Sequence, residues 1–172
     1  MSHQEQKTEE LTFRDKVTQF LTTYRNVLIG IGVVIVVVLA GLAIYTSVMS
    51  SRIEKSSVAA ENLQSSFDEW KSAEEEEKKT SLEEEIRTQA DEIISSYSGL
   101  FAAARAHTIL GRLAVEKEEY AEAEKHFLAV ADGHTDTYLA PIALMSAAVS
   151  REEQNNFEGA VELYRRVEEE YA

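Results

Sequence analysis

One uninterrupted apolar run constrains this 172-residue chain more than any other feature. It reads VLIGIGVVIVVVLAGLAIY from Val27 to Tyr45, and no charged residue occurs from Asn26 to Ser51. As a helix rising ~1.5 Å per residue, the run spans about 28 Å, which matches the hydrocarbon core of a bilayer. In lipid the backbone has no other hydrogen-bonding partner, so the run must be helical. We therefore predict a transmembrane helix over residues 27–48.

Two other interpretations of the run are less consistent with the sequence. A buried core helix would need covering by the rest of the chain, which is too polar to do so. A cleavable signal peptide has an apolar core of roughly 7–15 residues, which this run exceeds. The chain contains no Cys, so a lipoprotein signal is excluded, and so are disulfides and thiolate metal sites. An uncleaved anchor is the prediction.

The charge distribution predicts the orientation of the anchor. The head, residues 1–26, carries four basic and four acidic side chains, so the net charge of −14 belongs to the body that follows the anchor. Four Lys or Arg precede the run, and only Arg52 and Lys55 follow it closely. The positive-inside rule therefore places the head in the cytoplasm and the body across the membrane. An acidic body also excludes nucleic acid as a partner.

The segments on either side of the anchor both have helical periodicity. Residues 1–10 are polar and predicted to be disordered, whereas Leu11 to Arg25 predicts a short amphipathic helix, capped by Thr12 with Asp15, or an extension of the anchor helix. After the membrane, residues 49–79 predict a long linking helix ending in an acidic loop. Its apolar track predicts a coiled-coil-like face that could form a homodimer. The members of the track are Ile53, Ala60, Leu63, Phe67 and Trp70, with Ser56 at an intervening position.

Residues 80–172 contain an internal repeat with an offset of 37 residues. Thr80 with Glu83, or Ser81 with Glu84, is predicted to cap its first helix. Each unit predicts a helical hairpin in which small residues lie where the helices cross and aromatic residues fill the space beside them. The packing positions are Leu110, Gly111, Tyr120, Ala123 and Phe127 in one unit, and Ala148, Phe157, Ala160 and Tyr164 in the next. The same offset backwards aligns Ile86, Ala90 and Ile93 with the series Ala123, Phe127 and Val130.

This spacing resembles the tetratricopeptide repeat, in which Leu-Gly is followed by an aromatic residue, Ala, and a second aromatic residue four positions on. The second unit departs from the pattern, with Ala147-Ala148 in place of Leu-Gly, and His107 stands where the pattern often has Trp. The resemblance implies an all-α fold, an α-solenoid of hairpins following the transmembrane helix. Gly133 is predicted to end the second helix of the first unit, and Pro141 to lie in the first turn of the following helix.

The layout of the whole chain is similar to the YfgM-type ancillary subunits of the bacterial Sec translocon. Those proteins have a cytoplasmic head, one inner-membrane anchor and a periplasmic repeat domain. The segments carrying this resemblance are KVTQFLTTYRNVLIG and GLFAAARAHTILGRL. The resemblance implies a single-pass inner-membrane protein whose partners are Sec translocon subunits, periplasmic chaperones or other envelope proteins.

The tetratricopeptide resemblance also implies a partner-binding groove built from the first helix of each unit. It places six residues there: Arg105, Thr108, Arg112, Ile142, Met145 and Val149. The two arginines could bind a carboxylate of a partner, or could instead pair with neighbouring glutamates such as Glu116. A second candidate surface is an open C-terminal face formed by Val161, Tyr164, Val167 and Tyr171. It either packs on the preceding helix or receives a partner, and a third alternative is that the natural chain continues.

No catalytic constellation, metal-binding spacing or phosphate loop is present in the sequence, so we expect neither an enzyme nor a cofactor. The interpretation that follows is a membrane-anchored protein-interaction module that assists translocation or chaperone hand-over. Three alternatives stay open: a scaffold for envelope assembly or cell division, a cytosol-facing targeting-peptide receptor of reversed topology, and a dimeric structural spacer.

Overall fold

A computed structural model of the chain describes residues 13–171, which form seven α-helices and no strand. The predictions for residues 1–10 and for Thr12 lie outside this range. The helices are α1 (Phe13–Thr23), α2 (Arg25–Ser72), α3 (Glu76–Ser96), α4 (Phe101–Glu116), α5 (Tyr120–Gly133), α6 (Leu139–Glu153) and α7 (Phe157–Tyr171). The chain divides into two compact units at the bond between Met49 and Ser50. The all-α prediction is confirmed for the described residues.

In the first unit, α1 leads into α2 with a break of one residue. The amide of Tyr24 donates to the Phe20 carbonyl at 3.0 Å, and the Leu28 amide donates to the Tyr24 carbonyl at 2.8 Å. These are helical i to i−4 bonds, so α1 behaves as an extension of α2. Within α2 an 18-residue window has a mean hydropathy of 3.2 and no residue of that window is buried. By length and composition α2 is a candidate membrane span.

In the second unit, the C-terminal part of α2 and the helices α3 to α7 pack as consecutive helical hairpins. One apolar core lies between α2, α3 and α4, and its largest buried side chains are Leu63, Phe67, Ile86, Ile109 and Leu113. A second core lies between α4, α5, α6 and α7, around Phe127, Val130, Leu144 and Leu163. The repeat therefore extends over three hairpins, as the backward offset to Ile86, Ala90 and Ile93 predicts.

The apolar track beyond the anchor is buried inside this unit. Four of its members, Ala60, Leu63, Phe67 and Trp70, contribute to the first core, and Ser56 is buried as well. Ile53 differs from the prediction, because 48% of it is exposed. Since the track packs against α3 and α4, the surface proposed for a dimeric coiled coil is already occupied by the chain itself.

The start of α3 differs from the prediction. The helix begins at Glu76, inside the acidic run, and its N-cap position is Glu75 rather than Thr80 or Ser81. The Thr80 hydroxyl donates to the Glu76 carbonyl at 3.0 Å, as a residue within a helix does. Acidic residues in a first turn interact favourably with the helix dipole, and this contribution replaces a side-chain cap. The predicted acidic loop is thus shortened to residues 73–75.

Close packing of α4 on α5 depends on Gly111. A Cβ atom at this position would lie 2.7 Å from Cε1 of Phe127, so the Phe127 ring occupies the space that any other residue would need. The other predicted small residues, Ala123, Ala148 and Ala160, are also buried. Phe157 is a correction: it does not fill a gap between helices but is 61% exposed. The chain places no helix after α7 for it to pack against within residues 13–171.

The turns inside the last two hairpins have the same backbone conformation. Glu118 has φ of 61° and Asn155 has φ of 60°, and the two positions are separated by the repeat offset. Asn tolerates this left-handed region, whereas Glu is strained in it. Gly133 is the last residue of α5, as predicted, but it has no positive φ and so does not form a left-handed glycine cap. Pro141 lies in the first turn of α6, as predicted.

The shared turn gives a reciprocal prediction. The substitution Glu118→Asn should raise the free energy of unfolding by about 0.5–1 kcal/mol, because Asn adopts the left-handed conformation of this position with less backbone strain than Glu. Asn155→Glu should lower the free energy by a similar amount. Urea unfolding followed by circular dichroism measures both. Equal effects of the two substitutions in the same direction would contradict this account of the turn.

Candidate protein-binding groove

Helix α6 presents an apolar stripe to solvent. Ile142, Met145 and Val149 recur at helical spacing and are 53%, 50% and 47% exposed. The opposite side of α6 is buried in the second core through Ala143, Leu144, Ala147 and Ala148, so the stripe has no packing role within the described hairpins. A contiguous exposed apolar stripe on a helix otherwise committed to a core is typical of an interaction surface.

The wall facing this stripe is formed by α4 and the end of α2. A cavity of about 570 Å³ is lined by the stripe and by Arg112, Val115, Tyr120 and Lys71. A second cavity, of about 330 Å³, is lined by Arg105, Thr108, Arg112 and Tyr138, among others. Arg112 borders both cavities, so the two lie next to each other. The structure thus brings together all six residues that the sequence assigns to a groove.

The two groove arginines have surroundings that differ from the predicted ion pairs. Glu116, the predicted partner of Arg112, instead accepts a hydrogen bond from Lys71 Nζ at 2.5 Å. The Arg112 guanidinium lies over the Phe67 ring, 4.8 Å from its centroid. Among residues 13–171, neither Arg105 nor Arg112 forms an ion pair. Within residues 13–171 the prediction that they pair with neighbouring glutamates is therefore wrong, and both arginines line the groove cavities.

Thr108 contributes shape rather than a free hydroxyl. Its Oγ1 donates to the Ala104 carbonyl at 2.8 Å, within the same helix. The hydroxyl can still accept a hydrogen bond from a ligand. Thr108 lines the second cavity together with Arg105 and Arg112.

Sequence reasoning missed several residues that line the two cavities, among them Phe101, Tyr138, Lys71 and Val115. Tyr138 and Phe101 form an exposed ring pair with centroids 5.6 Å apart at one end of the groove, and Lys71 and Val115 line its other part. Tyr138 could have been found, since it lies four residues before Ile142 and continues the α6 stripe. Lys71 could not, because it comes from α2, a helix that the repeat pattern does not include.

The C-terminal face is mostly turned inward. Tyr164, Val167 and Tyr171 are partly buried against the second core, and Tyr164 donates its hydroxyl proton to Glu152 Oε2 at 3.2 Å. Only Val161 of the predicted set is strongly exposed, at 55%. Packing on the preceding helix, which is one of the predicted arrangements, therefore applies to three of the four residues. A partner at this face remains a prediction.

The geometry of stacked hairpins agrees with a match to a known family. The sequence model of the family described as "Tetratricopeptide repeat-like domain" matches residues 18–172. The chain belongs to this tetratricopeptide repeat-like family. No curated protein and no solved structure matches the chain.

Tetratricopeptide repeat-like domains are protein–protein interaction modules, so the partners expected for this chain are proteins. Within the described residues, no group of three or more His, Asp or Glu side chains is placed to hold a metal ion. What the groove of this tetratricopeptide repeat-like protein offers is apolar area beside two positive charges, which suits binding of a polypeptide segment.

Proposed function

We propose that the chain is a membrane-anchored module whose groove binds a segment of a partner protein, without catalysing a reaction. The observation that carries the proposal is the exposed stripe of Ile142, Met145 and Val149. It lines one cavity together with Arg112, and Arg112 also lines the second cavity, together with Arg105. Apolar side chains of the partner segment would fill the larger cavity. A carboxylate of the same segment would bind the guanidinium groups.

Charge complementarity supports an acidic group on the partner. The chain has 31 acidic and 17 basic residues, so most of its surface repels an acidic segment. The groove is different, because Arg105 and Arg112 line it and form no ion pair within residues 13–171. In the larger cavity the charge of Lys71 is paired with Glu116, and Glu153 is a further lining residue. Repulsion elsewhere combined with attraction here directs such a segment to this one surface.

The anchor supports a location at the membrane. The apolar window of α2 is long enough to cross a bilayer, and none of that window is buried. The excess of Lys and Arg before the run favours a cytoplasmic head and a periplasmic body. The inner membrane of a bacterium is the location that the overall layout suggests.

The partner we propose is the Sec translocon, with periplasmic chaperones that receive emerging chains. This assignment comes from the resemblance of the layout to the YfgM-type subunits, not from the groove. An envelope-assembly or division scaffold is the second candidate, because the same groove and anchor would serve it equally well. A cytosol-facing receptor for basic targeting peptides fits less well, since the described residues that line the second cavity include Arg105 and Arg112 and no acidic residue.

Site-specific photocrosslinking followed by detergent extraction tests the partner. A photoreactive residue at Met145, inside the groove, should capture translocon subunits or chaperones. The matched control is the same residue at Lys125, which is exposed on α5 and lines neither cavity. Capture of other envelope machinery from Met145 would reject the translocon and retain the groove. Equal capture at both positions would reject the groove.

Topology gives an independent prediction. In intact spheroplasts, a protease added outside should remove a tag placed after Ala172, because the body is predicted to lie outside the cytoplasm. A tag placed before residue 1 should be protected until the cells are lysed, and it serves as the control. Protection of the C-terminal tag would place the body in the cytosol and make a receptor of reversed topology the hypothesis to test.

A further inference from the structure

Two histidines that are unrelated in the sequence are in direct contact in the fold. Nδ1 of His107 on α4 lies 3.1 Å from Nδ1 of His126 on α5, and their ring centroids are 5.4 Å apart. At this distance one ring donates its Nδ1 proton and the other accepts it. Sequence reasoning found no useful spacing among the histidines, since the two are 19 residues apart.

A chain of charged side chains orients the pair. Nε2 of His126 lies 3.7 Å from Oε1 of Glu122, and Arg87 Nη1 on α3 donates to the same oxygen at 2.7 Å. The hydrogen bond from Arg87 lowers the pKa of Glu122, so this carboxylate stays ionised. It therefore favours a proton on Nε2 of His126. The lone pair of His126 Nδ1 is then left to accept the proton of His107 Nδ1.

The other charged groups around the pair come from α3, α5 and the turn after α5. Asp91 on α3 favours a charge on His107, whereas His134, after α5, and Lys125, on α5, oppose it. At His126, Glu122 favours the charge, and Lys125 and Arg87 oppose it. Among the described residues a single carboxylate favours the charge at each ring, so the surroundings do not compensate for two positive imidazoles in contact.

We propose that the His107–His126 contact is an acid-sensitive latch between α4 and α5, closed when the pair carries at most one added proton and opened by the second. With one added proton, a single Nδ1 proton can still be shared, because the remaining neutral ring accepts it. With two, both Nδ1 atoms carry protons and no acceptor is left. Two positive rings in contact then repel each other, and the helices separate locally.

The direction of the pKa shifts agrees with this behaviour. Burial, followed by the charge of His126, lowers the pKa of His107 from 6.5 to about 4. Burial also lowers the pKa of His126. A lowered pKa means that the open or unfolded state binds the proton more tightly, so the contact loses stability as the pH falls from about 6.5 towards 4. Above about pH 7 both rings are neutral and the latch is closed.

Opening the latch would act on the crossing of α4 and α5. Gly111 lies one helical turn after His107, and Phe127 directly follows His126. The tight contact between Gly111 and the Phe127 ring therefore adjoins the histidine pair. Helix α4 also carries Arg105 and Arg112, so its displacement would reshape the groove. That last consequence rests on the proposed function, whereas the opening of the hairpin does not.

Hydrogen–deuterium exchange of the full chain in detergent micelles tests the latch at pH 7 and pH 5. After correction for intrinsic exchange rates, amide protection in α4 and α5 should fall about tenfold relative to α7 of the same molecule. His107→Gln should abolish this relative fall, because Gln can donate to Nδ1 of His126 and never becomes charged. His134→Gln is the control that removes a neighbouring histidine charge without removing the His107–His126 contact, and it should retain the fall.

The outcomes separate this proposal from that of the groove. Unchanged relative protection in the native chain, or a fall that persists in His107→Gln, would overturn the latch while leaving partner capture at pH 7 unaffected. Should His107→Gln not fold, His126→Gln provides the same test from the other side of the contact. Loss of partner capture at pH 7 with a normal pH response would instead reject only the groove.

Discussion

Replacing Gly111 by valine is expected to lower the free energy of unfolding by about 3 kcal/mol. Even a methyl group at this position would approach Phe127 Cε1 to 2.7 Å, and the ring is only 4% exposed, so it has nowhere to move. Valine adds two further carbons at the same crossing. The helices must separate or the ring must leave its rotamer. Urea unfolding of the chain in detergent micelles, followed by circular dichroism, measures the loss.

The same substitution at Gly133 is the control. This residue ends α5 and has no positive φ, and a Cβ atom added there would meet nothing within 4 Å among the described residues. Gly133→Val should change the free energy by less than about 1 kcal/mol. Combining Gly111→Val with Phe127→Leu should recover about 1 kcal/mol relative to the sum of the single changes, because the two sites are in contact. Equal losses at Gly111 and Gly133 would show that the crossing is not tightly packed.

Reversing both groove charges, with Arg105→Glu and Arg112→Glu, is expected to weaken partner capture about 100-fold. A charge-assisted hydrogen bond contributes about 1.5–3 kcal/mol, and two of them correspond to at least that factor. The reversal also places two carboxylates where the partner's acidic group would bind. Capture through the photoreactive residue at Met145, measured as a function of partner concentration at pH 7.5, gives the affinity.

The control for this double variant changes the net charge by the same amount at positions outside the groove. Lys125→Glu with Arg165→Glu alters two exposed cations that line neither groove cavity. This variant should bind within about threefold of the native chain. Arg112 also stacks on Phe67, so its loss should cost about 0.5–1 kcal/mol of stability, and circular dichroism must confirm that the variant is folded. Comparable losses of binding in both variants would attribute the effect to bulk charge and reject the groove.

The hairpins could be predicted from the sequence because the same packing positions recur in each repeat unit. Gly111 with Phe127 and Ala148 with Tyr164 occupy equivalent positions, and a small residue opposite a ring is a local rule for crossing helices. The rule failed at Phe157. Its equivalent, Tyr120, is only partly exposed, whereas no helix within residues 13–171 follows α7 to cover Phe157. Periodicity identifies a face, but not whether another element lies against it.

The groove was predicted only in part, for a related reason. The positions on α4 and α6 followed from the repeat, whereas Lys71 and the ring pair of Phe101 with Tyr138 depend on how distant segments approach. The ion-pair partner of Glu116 likewise depends on which distant side chain comes close to it in the fold. Lys71, 45 residues away in the sequence, donates to the Glu116 carboxylate that helical spacing had assigned to Arg112.

Local composition and a fixed period were enough to define the helical class, the candidate membrane span, the acidic character and the repeat register. Long-range packing, in contrast, makes the track from Ala60 to Trp70 part of a core and brings His107 to His126. It also leaves two groove arginines without an ion pair among residues 13–171. These outcomes depend on which side chains from separate helices reach the same point. Whether a side chain is buried or forms an ion pair is set by such contacts between helices, so it cannot be deduced from any one segment of the sequence.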